Sequence, residues 1–223
     1  MSVWPAIWLT LQLATVTTVI LMIIAMPLGW WLATTKAKSR PFFEAITALP
    51  LVLPPTVLGF YLLILMRPDA PLGGLFLRVT GETLAFSFTG LVIASVIYSL
   101  PFAVQPMQTA FRSVPQPTLD AARTLGASSR DAFFSVSLPL ASRGAVTAAV
   151  LSFAHTIGEF GVVLMVGGNI PGQTRVISIE IFSAVETLDY GTAHVLSAGL
   201  LVLSLSVLTI VYWFNRRGGS RIG

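Results

Sequence analysis

The feature that most constrains this chain is a series of long apolar stretches without charged side chains. The first, Ile7–Thr35, contains no charged residue at all. A helix needs about 20 mostly apolar residues to cross the hydrocarbon core of a bilayer, so this stretch is long enough to span one. Pro27 lies inside it, but proline kinks a membrane helix rather than ending it. The stretch therefore predicts a membrane-spanning helix.

Four further apolar stretches extend the prediction to five spans, so the expected fold class is an all-α, polytopic membrane protein. The predicted spans are residues 7–35, 46–66, 84–110, 140–166 and 195–214. Three prolines, Pro50, Pro54 and Pro55, should make the first half of the second span irregular. Residues 67–71 are typical of a loop, and residues 176–188 predict a short helix that does not span. No linker divides residues 1–223, which we expect to form a single domain.

The amino-acid composition excludes a water-soluble globule. Hydrophobic residues make up 55% of the chain and charged residues only 10%, with a mean hydropathy of +0.84. A soluble domain carries about 25% charged residues, so lipid must cover most of this surface. The chain has no cysteine, which excludes disulfides, thiolate metal sites and cysteine nucleophiles. Its charges lie in short clusters with no basic, aromatic-rich face, so no nucleic-acid partner is expected.

The distribution of positive charges predicts how the spans are oriented. Loops on the cytoplasmic side of a membrane carry an excess of Lys and Arg. With five spans, the three cations on one side are Arg67, Arg78 and Arg175. The other ten cations lie on the opposite side: Lys36, Lys38, Arg40, Arg112, Arg123, Arg130, Arg143, Arg216, Arg217 and Arg221. This asymmetry places the N-terminus outside and the C-terminus inside.

The longest connection on the predicted cytoplasmic side, residues 113–139, has the pattern of two short helices joined at a glycine. Pro117 suits the first turn of a helix, and Gly126 can adopt the left-handed conformation that ends one. Ser128 followed three residues later by Asp131 is typical of a capping box that begins the next helix. Pro139 is expected to close that second helix. On these signals alone, an ordinary surface loop packed against its own spans is the favoured interpretation.

The same segment resembles the EAA loop of ABC-importer permeases, which docks on a cytoplasmic ATPase. In that loop an acidic residue and two alanines precede a glycine, and a hydrophobic-Leu-Pro sequence follows. Here the matching residues are Asp120, Ala121, Ala122, Arg123, Gly126, Leu138 and Pro139. Asp120 stands where the family most often has Glu, which keeps the charge and shortens its reach. The resemblance implies that these seven residues couple the chain to an ATPase.

Three more motifs resemble the molybdate branch of these permeases. They are Leu49–Gly59, Ile157–Gly161 and Asn169–Arg175. The related sulfate permeases share the general plan but favour a Gly-Glu-Tyr form where this chain has Phe160. Phe160 therefore favours molybdate, while tungstate and sulfate stay open as alternatives. With the EAA-like loop, the resemblance covers most of the chain from Lys36 onward.

The resemblance also implies the partners of the chain. They are a second copy in a homodimer, two copies of a cytoplasmic ABC ATPase and an extracytoplasmic molybdate-binding protein, all at a bacterial inner membrane. The sequence contains no G-x-x-x-x-G-K-[ST] loop, so ATP and Mg²⁺ would be used by the partner ATPase. We expect the chain itself to bind no cofactor or metal and to have no catalytic residues.

Small hydroxylated residues in the spans are candidates for lining a polar path for a tetrahedral dianion. A path must hold its ion weakly enough to release it, which suits hydroxyls and amides. The candidates are Thr15, Thr17, Thr18, Thr56, Ser152 and Thr156. For each of them, an ordinary contact between helices, where small residues are common, is the favoured alternative.

Three charged or titratable residues in or near the outer part of the fourth span are compatible with more than one role. Glu159 would repel an anion, so it is expected to have a gating or a structural role. The structural role would be to cap the break after Gly158 or to pair with His155 or Arg143. For His155 a neutral hydrogen bond between helices is the favoured expectation over a charged, anion-attracting role. Arg175 could meet the delivery protein or the oxyanion, or be solvated.

Two other classes of function are disfavoured. An intramembrane enzyme needs a nucleophile–base pair or a metal site, but His155 and His194 are far apart in sequence and no H-E-x-x-H motif occurs. A secondary transporter independent of ATP usually shows a repeated half, which this sequence lacks. The EAA-like loop argues more strongly against a secondary transporter.

Overall fold

The computed structural model describes residues 3–216 of the chain, with side chains to residue 213. Within that range it contains twelve α-helices, one π-helical segment at Phe133–Ser137, and no β-strand. The helices are α1 Trp4–Thr34, α2 Arg40–Val52, α3 Pro55–Leu65, α4 Pro71–Thr80, α5 Phe88–Arg112, α6 Gln116–Thr124, α7 Ser129–Ala132, α8 Leu138–Leu140, α9 Ser142–Gly158, α10 Gly161–Gly167, α11 Ile177–Glu186 and α12 Tyr190–Arg216. The all-α prediction is confirmed.

Three helices in the described range are long and apolar enough to cross a membrane singly: α1, α5 and α12. Two further pairs qualify only if each bent pair counts as one span, which gives up to five. One pair is α2 with α3, and the other joins Ser129–Leu140 to α9. Arg217 and Arg221, which contribute to the predicted charge asymmetry, lie outside the described residues, as do the side chains beyond residue 213. The orientation of the spans stays a prediction.

The second predicted span, residues 46–66, is not one continuous helix, and its break lies in the first half, where the prolines predicted irregular structure. The chain forms α2 and α3 instead, with a bend of 109° between them. Leu53 and Pro54 are both extended, with ψ of 135°, because a residue that precedes proline is driven out of the helical region. Pro50, by contrast, lies inside α2 and does not break it. The irregularity therefore comes from Pro54 and Pro55 alone.

The fourth predicted span, residues 140–166, is also broken. Helix α9 ends at Gly158, and α10 begins at Gly161 after the extended residue Glu159. The helical segment expected to end at Pro139 ends one residue later, at Leu140: α8 includes Pro139 at its N-terminal turn, directly after the π-helical segment. Proline is tolerated there because its missing N–H falls in a first turn. The chain then turns by 71° into α9.

The connections contain one confirmed helix and one that sequence reasoning missed. Residues 176–188 form α11, as expected. The loop predicted at residues 67–71 leads directly into α4, which was not predicted. Helix α4 begins with Pro71 and ends at Gly81, whose φ of +77° is the left-handed conformation of a glycine C-cap. Its exposed apolar residues, such as Val79, suit a helix lying along the membrane surface.

The centre of the fold is the packing of α1, α5 and α9 against one another. A buried cluster that includes Leu21, Leu32 and Met107 fills the space between them. Gly29 of α1 lies against α5, where a Cβ would sit 2.9 Å from the Cβ of Met107. Such close helix contacts through small residues are the usual way that membrane helices associate. Helix α12 lies at the edge of this bundle and is mostly exposed.

Candidate functional site

The loop between α5 and α9 folds into the two short helices expected from its sequence. Helix α6 ends at a left-handed Gly126, with φ of +88°. The Gly126 N–H donates to the Arg123 carbonyl at 2.9 Å, and the Ala127 N–H donates to the Ala122 carbonyl at 3.0 Å. Ser128 and Asp131 then form a complete capping box at the start of α7. The two helices are thus joined by a hinge whose geometry is set by a glycine.

The outer side of this hinge presents a charged edge beside an exposed leucine. Leu119 is buried and anchors α6 to the rest of the chain. Asp120 accepts from Arg123 at 3.1 Å, and both side chains are more than half exposed. Leu125 is 88% exposed. Sequence reasoning named the charged pair and the small residues but did not single out Leu125, whose signal is its place directly before the left-handed glycine.

A second notable region lies where the two broken helices meet. Pro55 is the first residue of α3 and Gly161 the first of α10; a Cβ on Gly161 would sit 2.7 Å from the Cβ of Pro55. An open cleft of about 560 Å³ adjoins this contact. The predicted path residue Thr56 lines it, together with Tyr98, His155 and Glu159. Interrupted backbone at membrane depth is tolerated only inside protein or beside a cavity, and both conditions hold here.

Polar side chains between α5 and α9 form a small buried network at this level. Ser99 Oγ lies 2.8 Å from Nδ1 of His155 and 3.1 Å from Oγ1 of Thr156. The His155 ring stacks on Phe102 with centroids 3.9 Å apart. The expected hydrogen bond of His155 between helices is therefore present.

Glu159 departs from the expectation that it caps or pairs. The residue is 3% exposed, and neither carboxyl oxygen has a hydrogen-bond partner within 3.5 Å in residues 3–216; the Ser95 hydroxyl, which also lacks a partner, interacts with it only at longer range. Pairing with Arg143 is ruled out by position, because the two lie at opposite ends of α9, roughly 24 Å apart at 1.5 Å per residue. His155 bonds to Ser99 rather than to Glu159. The backbone of Glu159 is engaged instead, since its carbonyl accepts from Ser178 Oγ at 2.6 Å.

The predicted path residues do not all face open space. Ser152 and Thr156 are buried at helix contacts, and Thr156 Oγ1 donates to the Ser152 carbonyl. Thr17 is also fully buried, whereas Thr15 is exposed and bonds to the Leu11 carbonyl. Thr56 and Glu159 border the cleft, whereas Ser152 and Thr156 do not. A path-lining role for the buried hydroxyls stays a prediction.

Arg175 is held within its own loop rather than left as a solvated charge. Its guanidinium donates to Asn169 and lies 3.4 Å from a carboxylate oxygen of Glu180. Thr174, which is buried, closes the same loop by donating to the Gly167 carbonyl at 2.6 Å. These bonds give the segment between α10 and α11 a defined shape.

Sequence reasoning missed a polar stripe on α5. Gln105, Thr109 and Ser113 recur every four residues and are exposed, although α5 is a spanning helix. Together with Arg143 of α9 they line an open cleft of about 680 Å³, which we call the α5–α9 cleft. Its floor is a tight helix crossing, because a Cβ on Gly144 would lie 2.1 Å from the Cβ of Ala110. The available signal was the four-residue spacing within an otherwise apolar helix.

Comparison with known sequences identifies the family. Residues 25–219 match the family described as "Binding-protein-dependent transport system inner membrane component". The chain belongs to this family. Its members are transport permease components of the inner membrane, so the expected membrane protein and transport class are confirmed.

Individual relatives and a solved structure agree with that assignment. The molybdenum transport system permease protein ModB of Azotobacter vinelandii is 53% identical over 95% of this chain and 93% of its own length. The sulfate transport system permease protein CysT of Salmonella typhimurium is 30% identical over 96% of this chain and 76% of its own. An inward-facing structure of the MetNI methionine ABC transporter superposes with a TM-score of 0.74 at 20% identity, covering 97% of this chain and 99% of that one. The fold is therefore that of an ABC-importer permease.

Proposed function

We propose that this chain is the membrane-spanning subunit of an ATP-driven importer for molybdate. The substrate assignment is supported by the 53% identity, over nearly the full length, with a molybdenum permease. The sulfate permease is similar over almost as much of the chain but at 30% identity, and Phe160 favours the molybdate branch. Sulfate and tungstate remain the alternative substrates.

In this proposal the α6–α7 hinge is the contact with a cytoplasmic ATPase. Leu119 is the buried residue of α6, which packs against α7 and the π-helical segment, while Asp120, Arg123 and Leu125 are exposed. A charged edge orients a partner, and an exposed apolar residue beside it supplies buried area on docking. The small residues Ala121, Ala122 and Gly126 let the partner's backbone approach. Leu138 and Pro139, at the far end of the segment, pass its movement into α9.

The remaining parts of the transporter are supplied by partners. A homodimer would enclose the path, because a single chain with up to five spans leaves its clefts open. An extracytoplasmic binding protein would deliver the oxyanion, and ATP hydrolysis with Mg²⁺ would take place in the ATPase rather than in this chain. The site of action is a bacterial inner membrane, crossed several times, with the N-terminus outside.

The test is oxyanion uptake by the complete transporter. The permease, its ATPase and its binding protein are reconstituted in liposomes, and ATP-dependent uptake of molybdate, tungstate and sulfate is compared. We expect molybdate and tungstate, which are nearly isosteric, to be taken up and sulfate to be disfavoured. Preferential sulfate uptake would overturn the substrate assignment, and uptake without ATP would overturn the transporter class.

The docking role is tested by neutralising the charged edge. The double variant Asp120→Asn/Arg123→Gln removes one exposed pair, whose own contribution to stability is small. We expect the affinity for the ATPase to fall about ten-fold, equivalent to about 1.4 kcal/mol, because the orienting charges are lost. The matched control Arg78→Gln/Glu82→Gln removes one exposed charge of each sign at the far face. Equal ATPase binding by the double variant and the wild type would contradict docking at this edge.

A further inference from the structure

The α5–α9 cleft is lined mostly by apolar residues, but it carries a row of polar side chains along α5 with Arg143 opposite them. Gln105 lies two helical turns before the end of α5, inside a helix long and apolar enough to span. An exposed amide at that depth is costly in hydrocarbon, and polar side chains in spans usually face water or another part of the protein. The recurrence of exposed polar residues at Gln105, Thr109 and Ser113 therefore favours water or protein, rather than lipid, along this side of α5.

Arg143 is the one charged residue among those that line the cleft. It is exposed and forms no ion pair with a carboxylate in residues 3–216, whereas Arg40 and Arg112 nearby in the fold both bind Glu44. An arginine without a carboxylate beside a polar cleft leaves its five N–H donors for a ligand.

The hydrogen-bond inventory indicates which groups can donate to a ligand. Thr109 Oγ1 already donates to the Gln105 carbonyl, Ser113 Oγ to the Ala110 carbonyl and Thr147 Oγ1 to the Arg143 carbonyl. Those three protons are used by the backbone. The donors left in the cleft are the guanidinium of Arg143 and the side-chain amide of Gln105. Two donor groups and no carboxylate suit an anion rather than a cation.

We propose that the α5–α9 cleft binds a tetrahedral oxyanion dianion through Arg143 and Gln105. The inference rests on the proposed function and adds a site on the predicted cytoplasmic side of the path. A guanidinium matches two oxygens of such an anion with parallel N–H bonds. One cation in an open, water-filled cleft gives weak binding, as a site from which the ion must leave requires.

The absence of cysteine in the chain makes a single-cysteine reporter possible. Thr109→Cys places a thiol in the cleft of the complete permease–ATPase complex, held in nanodiscs without ATP. Its rate of modification by a neutral maleimide is read on the permease band, with sodium molybdate replacing sodium chloride at constant ionic strength. Bound oxyanion should slow labelling by the factor 1 + [L]/Kd, about ten-fold when molybdate is about nine times its Kd. Perchlorate, a tetrahedral monoanion, should protect less.

Variants at Arg143 decide the assignment. Arg143→Gln should abolish protection, and Arg143→Lys should weaken it, because lysine keeps the charge but loses the fork. Lys38→Gln, which removes an exposed cation outside the cleft, should leave protection intact. Three results would each overturn the site. The first is equal protection in the wild type and Arg143→Gln, the second is loss of protection in Lys38→Gln, and the third is no labelling of Thr109→Cys at all. If Arg143→Gln does not assemble with the ATPase, an unchanged molybdate Kd in Arg143→Lys is the overturning result.

The uptake assay separates this inference from the function on which it rests. Molybdate uptake by the wild-type transporter without protection of Thr109→Cys refutes the α5–α9 site and leaves the proposed function standing. Absence of molybdate uptake refutes the proposed function itself.

Discussion

Replacing Gly126 with alanine tests the hinge of the proposed docking segment in isolation from packing. The φ of Gly126 is +88°, and a Cβ added there would have no atom within 4 Å. The alanine variant therefore introduces no clash, and its whole cost is the backbone conformation. A left-handed residue with a Cβ costs about 1–2 kcal/mol. That free energy corresponds to a factor of about 5–30 in an equilibrium constant.

We expect the free-energy cost of the left-handed conformation to appear as a lower affinity for the ATPase. In the free permease the alanine variant relaxes by leaving the left-handed conformation, and docking has to restore the native hinge. The Kd for the ATPase therefore rises by about 5–30-fold, because only the native fraction binds. Gly126→Asn should give an intermediate Kd, since asparagine tolerates the left-handed region better than alanine does.

The assay is equilibrium binding of the labelled ATPase to the permease in nanodiscs. Gly199→Ala is the matched control, because Gly199 also has no atom within 4 Å of an added Cβ but lies in the regular helix α12 without a positive φ. Its Kd should equal that of the wild type. An unchanged Kd for Gly126→Ala would refute the argument that the left-handed hinge sets docking.

Two further predictions concern the packing of the spans. At the α5–α9 crossing, Gly144→Ala should destabilise the permease by about 1–3 kcal/mol through overpacking against Ala110. Adding Ala110→Gly should restore most of the thermal stability, measured in detergent. If the second substitution restores nothing, the contact between the two residues is contradicted. At the other end of the bundle, Thr10 Oγ1 accepts a hydrogen bond at 2.8 Å from the N–H of Ile177, which is the first residue of α11. Thr10→Val leaves that buried donor unpaired and should cost about 1–3 kcal/mol, while Thr34→Val, whose exposed hydroxyl bonds only to its own helix, should cost far less. Equal melting temperatures for these two threonine variants would refute the proposed role of Thr10.

The sequence predicted elements whose signal is local. Charge-free length gave α1, α5 and α12, and the pairing of Ser128 with Asp131 gave the start of α7. Gly126 was identified as a hinge because a left-handed helix end is a property of one residue and its neighbours. Apolar length alone did not show the breaks in the second and fourth spans, because a helix and a bent pair of helices have the same composition. The signals that did were Pro54 and Pro55 in the second span and Gly158 in the fourth.

The candidate site was harder to predict because its parts come together only in the tertiary structure. The partner of His155 is Ser99, more than fifty positions earlier in the chain. Nothing local indicates that Glu159 has neither of its oxygens bonded, or that Ser152 is buried while Thr56 borders a cleft. The stripe on α5 was visible in principle, but its meaning depends on Arg143 lying across the cleft from it.

The contact between Pro55 and Gly161 has a consequence for how sequences of this family can vary. Each residue begins the helix that follows a break, and the two touch so closely that a methyl group on position 161 has no room beside the proline ring. A change at either position therefore alters the fitness of a change at the other, although more than a hundred residues separate them. Aligned relatives should show the two positions changing together, and a larger residue at 161 should accompany the loss of the proline at 55.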